Sequence, residues 1–237
     1  MLHISRSFSN SLKIPPKKGQ RNSDKCPWIL KAATISAGSS NDFDIKRVIG
    51  TGLMGTVRIV KLKSSNSHFA LKSVKKDYIT RHRDQRHIDN EKAVLLQVRS
   101  HFCIKLFGAF QDNTNVYFAM ELAAGGELFR RLSKKESFRP AVAKFYATEI
   151  FSAVEHVQSL GYVYRDLKPE NVMLDEDGHC KLVDFGFAVQ PDAQGLIHTI
   201  CGTPAYLSPE QVRTSERAHR CLQSNYLYHQ PFYPGRL

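Results

Sequence analysis

The chain has 237 residues, of which 42% are hydrophobic, 24% charged and 10% aromatic. This is the composition of a globular protein, and it excludes a largely disordered or fibrous chain. No apolar run approaches the roughly 20 residues of a membrane helix, and the five cysteines lack the spacing of a zinc module or a disulfide framework.

The net charge of +12 is concentrated in the two flanks of the chain. Residues 1–40 carry +6 (7 basic minus 1 acidic), residues 41–212 carry +3 (23 minus 20) and residues 213–237 carry +3 (4 minus 1). A nucleic-acid-binding protein more often gathers its charge on a folded face, so no nucleic-acid partner is expected. We interpret residues 1–40 as a disordered basic segment. It has no secretory core and only weakly resembles a transit peptide, so a cytoplasmic or nuclear location is expected.

Residues 43–122 have the pattern of a small antiparallel sheet with one main helix. Alternating β-branched residues predict strands, and turn residues such as Ser64-Ser65-Asn66-Ser67 separate them. The predicted strands are 43–49, 56–62, 68–74, 104–110 and 115–120. The predicted helix is 84–99, with apolar residues toward one side at Ile88, Val94, Leu95 and Val98.

The pattern becomes helical in the second half. Pro140 suits the first turn of a helix and Gly161 suits its end. Between them, four apolar residues are interpreted as repeating at helical spacing: Phe145, Ile150, Val154 and Val157. A hairpin follows, with strands 172–174 and 181–183 around the turn Asp175-Glu176-Asp177-Gly178.

A glycine-rich loop, Gly50-Thr51-Gly52-Leu53-Met54-Gly55, lies between the first two predicted strands. A dinucleotide-binding loop would open a helix, whereas this one opens a strand. A P-loop needs Lys followed by Ser or Thr after its last glycine, and here Thr56 follows directly. Two interpretations remain open on this motif alone. One is a glycine hairpin over phosphates, and the other is an ordinary tight hairpin.

Five further motifs follow in a fixed order, and chance explains the order poorly. They are a strand lysine (Ala70-Leu71-Lys72), a helix glutamate (Glu91), a polar loop (Tyr164-Arg165-Asp166-Leu167-Lys168-Pro169-Glu170-Asn171), a triplet (Asp184-Phe185-Gly186) and a final run (Cys201-Gly202-Thr203-Pro204-Ala205-Tyr206-Leu207-Ser208-Pro209-Glu210).

Together these motifs resemble those of eukaryotic serine/threonine protein kinases of the AGC group, most of all the cAMP- and cGMP-dependent kinases. Two traits narrow the resemblance: Tyr164 replaces the usual histidine before Arg-Asp, and Phe187-Ala188 follows Asp-Phe-Gly. The resemblance covers roughly residues 43–212 and implies an α+β, bilobal protein-kinase-like fold. Its N-lobe would be residues 43–122, a five-stranded antiparallel sheet with one main helix. Residues 123–212 would form a partial, mostly helical C-lobe.

The resemblance implies an enzyme that transfers the γ-phosphate of ATP with the help of Mg²⁺. Lys72, oriented by Glu91, would contact the α- and β-phosphates, and Asn171 and Asp184 would be the metal ligands. The implied catalytic residues are Asp166, which would accept the proton of the substrate hydroxyl, Lys168, which would neutralise the γ-phosphate, and Thr203, which would tie the other two together.

The nucleotide would be held by the glycine loop and by residues of both lobes. Implied phosphate-loop residues are Gly50, Thr51, Gly52 and Gly55, and implied adenine contacts are Val57 and Ala70 above, Met173 below and the hinge from Glu121 to Ala123. An apolar column that links the lobes in the family matches Leu95, Leu106, Tyr164 and Phe185.

Substrate choice and regulation are also implied. Glu127 and Glu170 match acids that contact arginines just before the phosphoacceptor in basophilic relatives, and Lys168 suits a Ser/Thr acceptor. Thr199 matches an activating phosphothreonine, with Arg165 and His87 as its implied contacts. The expected partners are therefore protein substrates with arginine before the phosphoacceptor, and either a regulatory subunit or an activating kinase.

The chain departs from the family pattern at several positions. Val189 stands where a lysine is usual and removes one cation from the phosphate pocket, Met54 replaces an aromatic at the loop tip, and Ala205 replaces a common acid. Cys201 lies beside the switch; the favoured interpretation is an inert small residue, and the alternative is a redox site. The resemblance ends near Val212, inside a lobe that continues in relatives, so residues 213–237 are interpreted as a divergent tail of a C-terminally truncated kinase. The alternative function is a catalytically inactive fragment or a nucleotide-binding regulator.

Overall fold

The first half of the chain forms a five-stranded antiparallel sheet, as predicted. The structure is a computed structural model that describes residues 38–52, 54–82, 84–209 and 211. The strand order is β1-β2-β3-β5-β4, and the strands agree with the predicted ones within two residues at each end. They are β1 (Phe43–Thr51), β2 (Gly55–Leu62), β3 (His68–Lys75), β4 (Leu106–Gln111) and β5 (Asn115–Met120). The proposed divergent tail lies outside the described residues, as does the proposed disordered segment up to residue 37.

Two helices join β3 to β4, whereas the sequence predicts one. The helix α2 (Gln85–Leu95) is the predicted one, and it is shorter than the range 84–99. Its apolar side is buried as predicted, and Val98 is buried just beyond its end. The additional helix α1 (Lys76–His82) has one buried residue, Ile79. Such a short polar segment carries almost no periodic signal, which explains why the sequence does not reveal it.

Within its described residues, the second half contains the α-helices α3 (Leu128–Lys135) and α4 (Pro140–Ser159) and a small three-stranded sheet. The helix α4 begins with its proline in the first turn as predicted. The antiparallel sheet has the order β6-β7-β8. It consists of β6 (Gly126–Glu127), β7 (Val172–Leu174) and β8 (Cys180–Leu182), the last two forming the predicted hairpin.

The predicted helical repeat in α4 does not hold for Phe145, which lies away from the buried side of the helix. The buried residues are Tyr146, Glu149, Ala153 and Val157, and Phe145 is 44% exposed. At 3.6 residues per turn, Phe145 lies about 140° around the helix from Ile150. Tyr146 occupies the position that spacing assigns to the core.

One hydrophobic core cluster runs through both halves of the chain, and a second, smaller cluster lies within the five-stranded sheet. The first cluster includes residues of α2, β4, α4, β7 and β8. The four residues of the predicted apolar column, Leu95, Leu106, Tyr164 and Phe185, are all buried in it. The rings of Tyr164 and Phe185 meet edge to face with centroids 5.7 Å apart. These findings support the predicted bilobal arrangement. Among the described helices, none is long and apolar enough to cross a membrane.

Candidate active site

The glycine loop is a tight hairpin between β1 and β2. The N–H of Gly52 donates to the carbonyl of Gly55 over 2.9 Å, and Gly50 lies opposite Val57. The glycines differ in what they require. A Cβ on Gly55 would lie 1.8 Å from the carbonyl oxygen of Ser73, whereas a Cβ on Gly52 would meet no atom within 4 Å. Gly55 therefore allows β2 to approach β3, and Gly52 leaves the loop tip open for a ligand to approach the backbone.

Lys72 on β3 is held between two carboxylates that come from distant parts of the chain. Its Nζ lies 2.6 Å from Glu91 Oε1 on α2 and 3.8 Å from Asp184 Oδ1. The Glu91 side chain is 4% exposed, whereas that of Asp184 is 46% exposed. The structure thus places one ammonium group where the first and second halves of the chain meet.

The charge state of Lys72 follows from these contacts. Burial by itself lowers the pKa of a lysine, but the charges of Glu91 and Asp184 outweigh burial and hold the Lys72 pKa above its ordinary value. Burial raises the pKa of Glu91, and the charge of Lys72 opposes that rise. Lys72 is therefore a fixed cation at neutral pH, as an ammonium group that binds phosphate must be.

Three predicted catalytic residues converge around one hydroxyl. The Thr203 hydroxyl donates to Asp166 Oδ1 over 2.7 Å and accepts from Lys168 Nζ over 2.7 Å. Lys168 Nζ also lies 3.0 Å from Asp166 Oδ2. The structure therefore contains the predicted Thr203 bridge, and it holds the Asp166 carboxylate, on a residue that is 4% exposed, in a fixed orientation. The catalytic roles of the three residues stay predictions.

The loops that carry these groups are fastened to one another. The amide nitrogen of Asn171 donates to both the carbonyl and Oδ2 of Asp166, and the Tyr164 hydroxyl donates to the carbonyl of Val183 over 2.6 Å. Asp184 has a φ of 58°, in the left-handed region that non-glycine residues rarely adopt. Such backbone conformations concentrate at functional sites. The exposed carboxylate of Asp184 is also accessible to a ligand.

The predicted metal ligands are an amide and a carboxylate. Donation by its nitrogen to Asp166 leaves the Asn171 side-chain oxygen for a cation, and the exposed Asp184 supplies a carboxylate. Within the described ranges, no three His, Cys, Asp or Glu side chains form a ready-made metal cluster. Mg²⁺ is commonly held by one or two carboxylates together with substrate phosphates, so these residues fit it without such a cluster.

The predicted adenine contacts are distributed over both lobes. Val57 on β2 lies opposite Lys72 in the strand pairing, and Ala70 on β3 is 7% exposed. Met173 is the middle residue of β7. The hinge residues Glu121 and Ala123 are partly buried and lie between the end of β5 and the start of β6.

The two predicted substrate acids differ in their surroundings. Glu127 pairs with the exposed Arg130 at 3.1 Å, just before the start of α3. Glu170 lies in a short 3₁₀ turn, and its Oε2 is buried without a hydrogen-bond partner. A buried carboxylate oxygen without a partner is costly. Glu127 thus already has a cationic partner, whereas one carboxylate oxygen of Glu170 has none.

The predicted switch residues meet only in part. Arg165 donates to the Thr199 hydroxyl over 2.7 Å and to the Thr199 carbonyl over 3.0 Å. His87 instead contacts Asp84 and stacks edge-on against Phe187. The structure thus brings Thr199 to Arg165, as the sequence predicts, and places the His87 ring against other partners.

Two charged residues with evident structural roles, Asp192 and Lys181, belong to none of the sequence motifs. Asp192 accepts from the N–H groups of Gln194 and Leu196, and it pairs with His198 at 2.6 Å. Lys181 is buried in β8 and pairs with the hinge. Its position between apolar neighbours on a predicted strand is the signal that could have identified it.

Comparison with known proteins agrees with this geometry. The family model described as "Protein kinase domain" matches residues 43–221. The chain is 41% identical over 191 residues to a protein of Saccharomyces cerevisiae named cAMP-dependent protein kinase type 3, covering 80% of this chain and 47% of that protein. It is 43% identical over 176 residues to the human cAMP-dependent protein kinase catalytic subunit PRKX, covering 74% of this chain and 49% of that protein. A cAMP-dependent protein kinase, catalytic subunit-like, from Caenorhabditis briggsae is 45% identical over 164 residues, which cover 69% of this chain and 42% of the relative. The chain therefore spans about half the length, or less, of these relatives.

Proposed function

Because this chain belongs to the protein kinase family, we propose that it transfers the γ-phosphate of ATP to serine or threonine side chains of proteins. The observation that carries the proposal is the position of Lys72, whose ammonium group lies 2.6 Å from Glu91 and 3.8 Å from Asp184. A cation supported in this way from both halves of the chain is what a polyphosphate needs for binding and orientation.

The residues divide the chemistry between them. ATP would supply the phosphoryl group, and Asn171 and Asp184 would hold the Mg²⁺ that neutralises its charge. Asp166 orients the substrate hydroxyl and accepts its proton, which is possible because Thr203 and Asn171 fix its carboxylate. Lys168 lies beside this carboxylate and supplies a positive charge near the transferred group.

The preferred substrates are proposed to carry arginine before the phosphoacceptor. The support is Glu170, whose buried Oε2 has no hydrogen-bond partner in the structure and would gain a charge-assisted hydrogen bond from a substrate guanidinium group that reached it. Glu127 would contribute a second carboxylate by exchanging its exposed partner Arg130 for the substrate. Exposed ion pairs are worth little, so this exchange costs little.

Phosphorylation of Thr199 is proposed as a switch, with Arg165 as the principal cation for the phosphate. His87 would join only by leaving Asp84, and Val189 offers no charge. The activating kinase and a regulatory subunit stay proposed partners.

A second candidate function is a catalytically inactive fragment or a nucleotide-binding regulator. The observation that favours it is the exposure of large apolar residues on α4, where Phe145 is 44% and Phe151 is 68% exposed. Such a surface is typical of a helix that packs against a further element.

A phosphate-transfer assay with an arginine-containing serine peptide separates the two functions. We expect activity for the parent chain and background signal for Asp166→Asn and Lys72→Met. Equal background signals from all three would favour the second candidate. Measured binding of Mg-ATP would then distinguish a nucleotide-binding regulator from an inactive fragment.

A further inference from the structure

Lys181 is a buried lysine in the middle of β8. It is 8% exposed and lies between Cys180 and Leu182, which are both 1% exposed. Lysines are almost never buried in this way unless an anion accompanies them. The Lys181 ammonium lies 3.0 Å from Glu121 Oε1 and 4.0 Å from Asp175 Oδ2, so Glu121 is its principal partner.

Glu121 is the first residue of the hinge, and three contacts with Lys105 and Lys181 hold it in place. Its N–H donates to the carbonyl of Lys105 over 2.9 Å. Its Oε2 accepts from the N–H of Lys105 over 3.3 Å, and its Oε1 pairs with Lys181. The Lys181 contact is the one that ties the hinge to the second lobe, since Lys105 precedes β4 in the first lobe.

Lys181 also has a fixed relation to the proposed floor of the nucleotide site. It is the cross-strand partner of Met173 in the antiparallel pair of β7 and β8. The other side of β8 is bonded to the segment before Lys105, through Leu182 N–H to the Phe102 carbonyl over 2.7 Å and Ile104 N–H to the Leu182 carbonyl over 2.9 Å. The hinge, this segment and the hairpin that carries Met173 therefore meet at Lys181.

We propose that Lys181 is a positioning residue for the nucleotide base, and that its ion pair with Glu121 sets the distance between the hinge and the floor of the site. The inference rests on the proposed kinase function. Hydrogen bonds from a hinge backbone are effective only over a narrow range of distance, so an adenine between these walls is sensitive to small displacements. Without the lysine, the carboxylates of Glu121 and Asp175 would lose the cation between them and would repel each other, which moves the hinge away from the hairpin.

The effect of Lys181 is expected on nucleotide affinity and not on phosphoryl transfer. Among the described residues, its ion pairs are with Glu121 and Asp175 only. Lys72 and Asp166 have their own partners, so their positions do not depend on it. A residue that acts in this way changes KM for ATP and leaves kcat nearly unchanged.

The test measures Mg-ATP binding by calorimetry, together with KM and kcat, for variants of the whole chain. Lys181→Gln and Glu121→Gln are each expected to weaken Mg-ATP binding by about 3- to 30-fold, within the range of couplings between contacting residues. For Lys181→Gln, kcat should stay within about twofold. The charge-swapped double variant, Lys181→Glu with Glu121→Lys, should recover most of the lost affinity.

A control on the same hairpin separates positioning from general weakening of the fold. His179→Gln removes the 2.5 Å contact between His179 and Glu149 of α4, which lies away from the hinge. Its Mg-ATP affinity should remain within about twofold of the parent value, below the coupling range expected for the hinge pair.

Each outcome decides between stated alternatives. Unchanged affinity in Lys181→Gln, an equal loss in His179→Gln, or a charge swap that restores folding but not affinity would overturn the role of Lys181. If Lys181→Gln fails to fold, Lys181→Arg takes its place, and that variant must keep nearly full affinity. A folded parent chain without affinity for Mg-ATP would overturn the proposed function, and this inference with it.

Discussion

Replacement of Lys72 by methionine is expected to lower the free energy of unfolding by about 3–5 kcal/mol. Two unit charges 2.6 Å apart attract by about 6 kcal/mol at an effective dielectric constant of about 20. The free energy needed to desolvate both ions opposes part of this attraction. The loss nevertheless stays large, because the Glu91 side chain is only 4% exposed and would remain buried without its cation.

The penalty of Lys72→Met should depend on pH in a defined direction. Burial raises the pKa of Glu91, and the charge of Lys72 opposes that rise, so removal of the lysine raises this pKa further. An acid with a higher pKa in the folded chain than in the unfolded chain favours folding in its protonated form. The penalty is therefore absent below the unfolded value of about 4.3. It grows by about 1.4 kcal/mol per pH unit above that value, until the folded-state pKa is reached.

Urea unfolding at pH 5 and pH 8 measures both quantities. The Lys72→Met variant should lose more stability relative to the parent at pH 8 than at pH 5. Adding Glu91→Gln should recover most of the loss and remove this pH dependence, because no buried charge is then left without a partner. A penalty below about 1 kcal/mol that is the same at both pH values would show that Glu91 is solvated, and the buried ion pair would be refuted.

Three further predictions test the loops around the site. Gly55→Ala should destabilise the chain by about 1–3 kcal/mol in urea unfolding, because its Cβ would lie 1.8 Å from a β3 carbonyl oxygen. The control Gly52→Ala, whose Cβ would meet no atom within 4 Å, should not destabilise the chain. Equal losses in the two variants would contradict the close approach of β2 and β3. Thr203→Val should lower kcat by about 100-fold while KM for ATP changes little, because the reacting groups lose their alignment. Thr203→Ser keeps the hydroxyl and should keep most of the activity. Full activity in Thr203→Val would contradict the role of the Thr203 bridge. Tyr164→Phe should cost about 1 kcal/mol by removing the 2.6 Å bond to the Val183 carbonyl, and unchanged thermal unfolding would count against that bond.

The sequence predicts the fold correctly where a regular pattern of apolar residues coincides with a buried surface. The five strands alternate and are bounded by turn residues, and the helix α4 has a proline at its start. The helix α1 was not readable, since a polar segment with only Ile79 buried has no periodic signal. Phe145 lies off the buried side of α4 because residues five positions apart are separated by about 140° around a helix.

The candidate site could be predicted as a set of residues, but its contacts could not. The motifs named Lys72, Glu91 and Asp184, yet their convergence depends on how the core brings α2 to β3 and to the second lobe. No sequence motif indicates that Lys181 and Glu121 form a pair. Its members are 60 positions apart in the chain and meet because β8 packs beneath the hinge, which is a property of the tertiary structure.

The order of the loop around Asp166 is best understood as the property of one hydrogen-bonded network. Asp166 is held by Thr203 on one oxygen and by Asn171 on the other. The carbonyl of Asn171 accepts from the N–H of Val183 over 3.0 Å, and the carbonyl of Val183 accepts from the Tyr164 hydroxyl. A single hydrogen bond contributes only about 1 kcal/mol, so no one bond explains a fixed carboxylate. Because the bonds share members, loss of one loosens the next, and the effects of paired substitutions in this network should differ from the sum of the single effects.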